Sequence, residues 1–170
     1  MTEITLYLSD QRGKAHVVIY PYRFTVRSVE DMEQAMAYDH VCAEYRNNHR
    51  SIENFILSDC LPVDLDNSHS DDPSEWKSLE DVQAAFPGVE LWAVESRSHM
   101  KPKDGKAPRP KYHIYFPIHP VADAAAYADL KRRAIARFPW FDTMAKDAAR
   151  FFYGVESPHV CHFPGGGGGC

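Results

Sequence analysis

The chain reads as a mixed α+β protein, and three observations predict it. Runs rich in β-branched and aromatic residues recur at residues 3–8, 16–26, 90–95 and 111–118, the composition of half-buried strands. Stretches with apolar residues at helical spacing lie between them, opened by Ser or Asp caps. Their order is mixed rather than strictly alternating, which is compatible with α+β. With 170 residues, 44% hydrophobic and 12% aromatic, the chain is expected to form one domain with a substantial core.

In order, residues 3–8 predict a first strand and Asp10–Lys14 a turn. Residues 16–26 predict a second strand, which Pro21 demotes to an edge or interrupts. Ser28-Val-Glu-Asp31 opens a helix, and Met32, Met36, Val41 and Tyr45 carry it to about Asn47. After Phe55 and Ile56 comes Leu61-Pro-Val-Asp-Leu-Asp-Asn67, then a polar loop to Trp76. Ser78-Leu-Glu-Asp81 starts a short helix that stops before Pro87-Gly88, and Glu90–Glu95 forms the next strand. Residues 96–110 read as a mobile hairpin loop. In the strand Lys111–Ile118, Lys111, His113 and Tyr115 share one face and Tyr112, Ile114 and Phe116 the other. Ala122–Phe138 is the clearest helix, with Lys131, Arg132, Arg133 and Arg137 read as its solvent side. Thr143–Tyr153 predicts a final helix ending at Gly154, with Asp142 or Thr143 as its cap and Asp147 and Arg150 one turn apart, spaced for an ion pair. Gly165–Gly169 and Cys170 are left outside the fold as a flexible tail.

Asp64 and Asp66 are the first chemical signal. In a strand, residues two apart project on one face, so both carboxylates would stand together with Val63 and Leu65 packed behind them. Such a pair suits Mg2+ or Mn2+, which take hard oxygen ligands and leave positions for water and phosphate. An Asp-rich turn closing a strand is the plainer alternative. His113 projects from a later strand among basic neighbours.

The formal charge of −5 argues against a protein that coats nucleic acid with a basic surface. The basic residues are concentrated instead: Arg97, Lys101, Lys103, Lys106, Arg109 and Lys111 stand against Asp104 alone, a solvated loop or a phosphate-binding one. Of the four cysteines, Cys42, Cys60, Cys161 and Cys170, none forms a CxxC pair, and structural thiols are expected. His159, Cys161 and His162 suggest zinc but lack a second spaced pair. No run approaches a membrane span and the N-terminus lacks secretory features, so a cytoplasmic protein without membrane contact is expected.

Three signals fall in a fixed order: Asp64-Leu-Asp66, Lys111-Tyr-His113 and Phe141-Asp142. This order resembles the archaeo-eukaryotic primase superfamily, the primase-polymerase group, whose motifs are an acid-x-acid pair, a small residue-x-His, and a hydrophobic residue followed by Asp. The resemblance covers most of residues 50–164 and extends to Asp147-Ala-Ala-Arg150 and Phe163-Pro-Gly-Gly166. It departs at Lys111, where the family usually has a small residue, although Ser96 and Ser98 lie across the basic loop. The third acid is Asp142 or Asp147, the Phe-Asp pairing favouring Asp142.

The resemblance implies an RRM-like catalytic module, residues 56–164, with a smaller packed α/β unit in residues 1–55. It implies template-directed joining of nucleoside triphosphates on single-stranded or primed DNA by a primase or polymerase. Asp64, Asp66 and Asp142 would hold two Mg2+ or Mn2+ ions, and His113 would touch the triphosphate. Ser96, Arg97, Arg109, Lys111 and Arg150 would complete the nucleotide site. A replicative helicase or an accessory priming domain is an implied partner. The competing readings are a metal-dependent nuclease, a replication-initiator endonuclease of the rolling-circle type, against which the single histidine of His113-Ile-Tyr115 counts, and a nucleotide- or nucleic-acid-binding module without catalysis.

Overall fold

The computed structural model describes residues 1–143, 147–166 and 169–170, and the fold is α+β with two antiparallel sheets. The smaller sheet has four strands in the order β2-β1-β3-β8: β1 is Ile4–Leu8, β2 Tyr22–Val26, β3 His40–Val41 and β8 Phe151–Phe152. The larger has five in the order β4-β5-β7-β6-β9: β4 is Glu44–Tyr45, β5 Phe55–Leu65, β6 Leu91–Glu95, β7 Tyr112–Val121 and β9 Val160–Phe163. Among the described residues three α-helices complete it: α1 (Val29–Met36), α2 (Leu79–Ala85) and α3 (Ala124–Arg137). No helix among the described residues is long and apolar enough to cross a membrane.

β7 pairs antiparallel with both β5 and β6, so β5 and β6 run parallel with β7 between them and α2 linking their ends. This is the split β-α-β of an RRM-like module, extended on the β6 edge by β9. The alternation read from the sequence sorts the sheet's two faces. Leu61, Val63, Leu65, Ile114 and Phe116 pack with Val82, Tyr127 and Ile135 of α2 and α3. Trp92, Val94, Tyr115 and Val160 face Ile4, Leu6, Phe152 and the buried side of α1. The molecule is therefore layered, with the five-stranded sheet between α2/α3 and the smaller sheet with α1.

The caps behave as the sequence dictates. The Ser28 hydroxyl accepts from Asp31 N at 3.1 Å, and Ser78 and Asp81 form a reciprocal capping box at α2. The first helix, however, ends at Met36 instead of about Asn47. The cause is Asp39, which is fully buried. Its carboxylate accepts from the backbone N–H of Gly13 (2.6 Å), Lys14 (2.8 Å) and Gly154 (2.7 Å). A buried charge needs such partners, and another turn of helix would carry it away from them. Residues 16–20 leave the ladder at Pro21, which interrupts the predicted strand, and bridge to the 46–50 segment through Ile19 and His49.

Three further expectations are corrected. Lys131 is on the buried side of α3, 1% exposed, because its ammonium finds a carbonyl inside the fold (below). Of the predicted last helix, residues 144–146 lie outside the described residues, while 147–149 form a turn and Phe151–Phe152 pair with β3 as β8. The glycine tail also returns to the fold. His162 and Gly169 exchange two backbone hydrogen bonds of 3.0 Å, and a disulfide joins Cys161 to Cys170, leaving Cys42 and Cys60 as buried free thiols.

Candidate active site at the junction of the two sheets

Asp64 and His113 are register partners across β5 and β7. Their side chains share the face turned toward the smaller sheet, with Val63 and Leu65 buried behind as expected. Asp64 is 1% exposed and both of its oxygens are engaged. Oδ1 accepts from His113 Nδ1 at 2.5 Å, and Oδ2 from Arg150 Nη2 at 3.1 Å. Burial alone would raise the Asp64 carboxyl, but these two partners outweigh it and hold the group below its ordinary value.

Asp66 lies two residues further along the chain, where β5 has ended. Asn67 turns the chain there with φ 49°, a conformation Asn tolerates better than most residues. Its side chain then bonds Lys77 N, Lys77 O and Pro110 O at 2.7, 3.1 and 3.0 Å, closing the polar loop. The third acid arrives by a separate route. Phe141 is buried against Phe138 and Phe86, and Asp142 N donates to Asp64 O at 2.8 Å. The Asp66 carboxyl is raised by burial and by the charges of Asp64 and Asp142, against the opposing pull of His113 and Lys111. The Asp147 side chain caps its own turn by accepting from Ala149 N at 2.7 Å, and the ion pair of Arg150 is with Asp64.

Arg150 owes its position to features the sequence did not reveal. Three successive carbonyls before it are each held by a side chain from a different part of the chain. Lys131 Nζ donates to Asp147 O at 2.9 Å, Tyr45 Oη to Ala148 O at 2.5 Å and Arg50 Nη1 to Ala149 O at 2.9 Å. The guanidinium then lies 5.1 Å from the Phe152 ring centroid, and the same ring meets His113 edge-on at 4.8 Å. Arg150 Nε is buried with no hydrogen-bond partner in the structure.

These groups border a cleft of about 260 Å3 whose lining includes Asp64, Asp66, His113, Arg150, Ser96 and Arg97. Ser96 N donates to Lys111 O at 3.0 Å, so the serine and Lys111 stand side by side although a loop of fourteen residues separates them in sequence. The exposed Arg97 stacks on Tyr153, 3.9 Å from its ring centroid. Lys111 is near Asp66 without lining the cleft. Arg109 does not join the site: it is 1% exposed and its guanidinium is spent on Asn67 O, Ser70 O and Asp71, at 2.9 Å each. Burial turned this predicted phosphate ligand into a clasp for the 67–76 loop.

The acids fit a hard divalent cation in donor chemistry. An ionised carboxylate offers about four lone-pair directions, of which Asp64 uses two, and the repulsion felt by Asp66 is what a cation would relieve. They are not gathered on one point, however. Among the described residues, the one group of three ligand atoms within 4.8 Å of one another is that of His159, Cys161 and Cys170. His162, predicted with the first two, is turned by strand alternation to the other face, where it bonds Glu90 at 2.9 Å.

No family model matches the chain, and no curated protein matches it. Among solved structures it is similar to the AEP domain of the cyanophage S-2L primase-polymerase (PrimPol), with 16% identity over 94% of this chain and 80% of that one and a TM-score of 0.47.

Proposed function

We propose that the chain is a template-directed nucleotidyltransferase of the primase-polymerase type, joining nucleoside triphosphates on a single-stranded or primed DNA template. The observation that carries this reading is that Asp64, Asp66, His113 and Arg150, from three separate stretches of the chain, line one cleft, with Asp142 close enough for its charge to act on Asp66. That convergence matches the order of motifs by which the sequence resembles the superfamily. Asp64, Asp66 and Asp142 would hold Mg2+ or Mn2+, which supplies activation of an attacking hydroxyl and neutralisation of a polyphosphate.

The chain's own groups do the rest. With Nδ1 engaged by Asp64, His113 has Nε2 left to meet the triphosphate. Arg150 and Arg97, both in the cleft lining, balance triphosphate charge, each such positioned cation being worth on the order of a few kcal/mol in the transition state. Ser96 supplies a hydroxyl donor beside them. The smaller sheet's side of the molecule contributes Arg12 and Gly13, which border an adjoining pocket that also contains Arg97. Extension of a primed template is the expected activity, with initiation depending on an accessory priming domain or a helicase partner.

The test is extension of a labelled primer on a single-stranded template with Mg2+ or Mn2+ and dNTPs or NTPs, beside Asp66→Asn. Extension abolished by the substitution in a folded protein supports the proposal. Shortening of the labelled strand would replace it with the nuclease. A second reading, a nucleotide-binding module without catalysis, is favoured by the engagement of both Asp64 oxygens by Arg150 and His113. Its signature is triphosphate binding that needs no metal and survives Asp66→Asn.

A further inference from the structure

We infer that the reduced protein carries a zinc site formed by His159, Cys161 and Cys170, in place of the disulfide seen in the oxidised form. The ligand atoms of these three side chains lie within 4.8 Å of one another, on the face of β9 away from the aspartate cleft. Two thiolates and an imidazole are a borderline-soft donor set that selects Zn2+ over Mg2+ or Mn2+. Sequence spacing concealed the set because its third member comes from the end of the glycine tail.

Two features make this more than chance proximity. Glu95 Oε1 pairs with His159 Nδ1 at 2.8 Å, which fixes the ring and leaves Nε2 as the nitrogen to bind a metal, the carboxylate–histidine arrangement that commonly supports zinc ligands. The tail is delivered by its own contacts besides the sulfur bond. Gly169 exchanges two hydrogen bonds with His162, and Gly165, at φ 93°, packs so closely that a Cβ there would stand 2.8 Å from Gly88 O. Cys170 therefore remains near Cys161 when the disulfide opens. His159 and Cys170 are exposed, so the ion has a path in, and three protein donors leave the fourth tetrahedral position to water.

The exchange balances. A dithiol reductant is oxidised to its own disulfide, passing two electrons and two protons to the Cys161–Cys170 bond and giving two thiols. Zinc then displaces both protons to solvent as the two metal–sulfur bonds form. Either bond closes the tail over β9, an edge strand that would otherwise present unpaired backbone groups. The inference does not depend on nucleotidyl transfer.

The test uses the full chain, reduced with dithiothreitol and freed of it anaerobically, titrated with Co2+ and then Zn2+. One Co2+ per chain with thiolate-to-cobalt charge-transfer absorption, displaced by one equivalent of Zn2+, is expected. Cys170→Ser should abolish the band, His159→Ala should weaken binding at least tenfold, and Glu95→Gln should weaken it roughly tenfold. The oxidised protein should show no band. Metal bound at the aspartates gives no thiolate absorption and does not interfere. A band absent from the reduced protein, or persisting in Cys170→Ser and so belonging to Cys42 or Cys60, would overturn the inference. Far-UV circular dichroism of each variant confirms that the fold is retained.

Discussion

Replacing Lys131 by Met separates the stability of this protein from its activity. Burial lowers the Lys131 ammonium from its ordinary 10.5 to about 8, with nearby Cys42 and Asp147 opposing the shift. A shift of this size corresponds to about 3 kcal/mol of penalty on the charged form. A lysine lowered in the folded state costs stability fully below its folded pKa, and the cost is relieved as pH rises from about 8 toward 10.5. Lys131→Met removes that cost but leaves the carbonyl of Asp147 without its donor, a loss of roughly 1–3 kcal/mol. At pH 7 the two nearly cancel, so the melting temperature should move little. Above pH 8 the wild type should gain on the variant by up to about 1.4 kcal/mol per pH unit, a difference in which the other titrating groups drop out. Urea titrations of both proteins between pH 7 and 10 measure it. Incorporation of nucleotide should fall on the order of a hundredfold, because the turn that aims Arg150 loses one of its three anchors. Activity at the wild-type level, or a stability difference flat across pH, would refute the reasoning.

Asp66→Asn should abolish incorporation and raise the melting temperature at neutral pH, since it removes a carboxylate held against burial and against the Asp64 and Asp142 charges; differential scanning fluorimetry reads this. Arg150→Met leaves the buried Asp64 with His113 alone and should destabilise by roughly 2 kcal/mol, less than a fully buried pair because Arg150 is about a third exposed. The same variant should bind Mn2+ more tightly without nucleotide, because Asp64 regains a free oxygen, yet bind triphosphate more weakly; calorimetric titrations that moved both affinities the same way would contradict this. Gly154→Ala places a Cβ 2.6 Å from Ala37 O and from Tyr38 C, a backbone clash that should cost about 1–3 kcal/mol in urea unfolding.

What the sequence disclosed follows from which forces are local. Capping by Ser28 and Ser78 and the alternation in 111–118 are decided within a few residues, and each is found in the structure. The errors arose where a distant group won. Asp39 stops α1 because its partners come from residues 13, 14 and 154. Lys131 and Arg109 look like solvent-facing cations until the carbonyls that receive them are in view. β8 was read as helix because its two residues have a partner only in β3, more than a hundred residues earlier. Within the candidate site Asp64 and Asp66 were singled out by spacing and Asp142 and His113 through the resemblance, while the supports of Arg150 were not, since Tyr45, Arg50 and Lys131 bear no motif.

The two walls of the cleft belong to different sheets, and this determines what its geometry depends on. Asp64 and His113 are carried by β5 and β7, whereas Arg150, Phe152 and Tyr153 belong to the segment around β8. An ion pair of 3.1 Å across that junction persists only if the sheets cannot slide. The apolar layer between them resists separation but is poor at fixing register, because hydrophobic contact is non-directional. Directional bonds supply the register. At a bulge in β5, the Asp59 carboxylate accepts from Thr5 N and Thr5 Oγ1 of β1 at 2.8 Å each. His40 of β3 bonds Tyr115 of β7 at 2.8 Å, with burial pushing the imidazole down to about 4, so it stays neutral and accepts that hydroxyl at physiological pH. With Asp39 joining the turns at Gly13 and Gly154, buried polar groups that look purely structural hold the arginine opposite the acids.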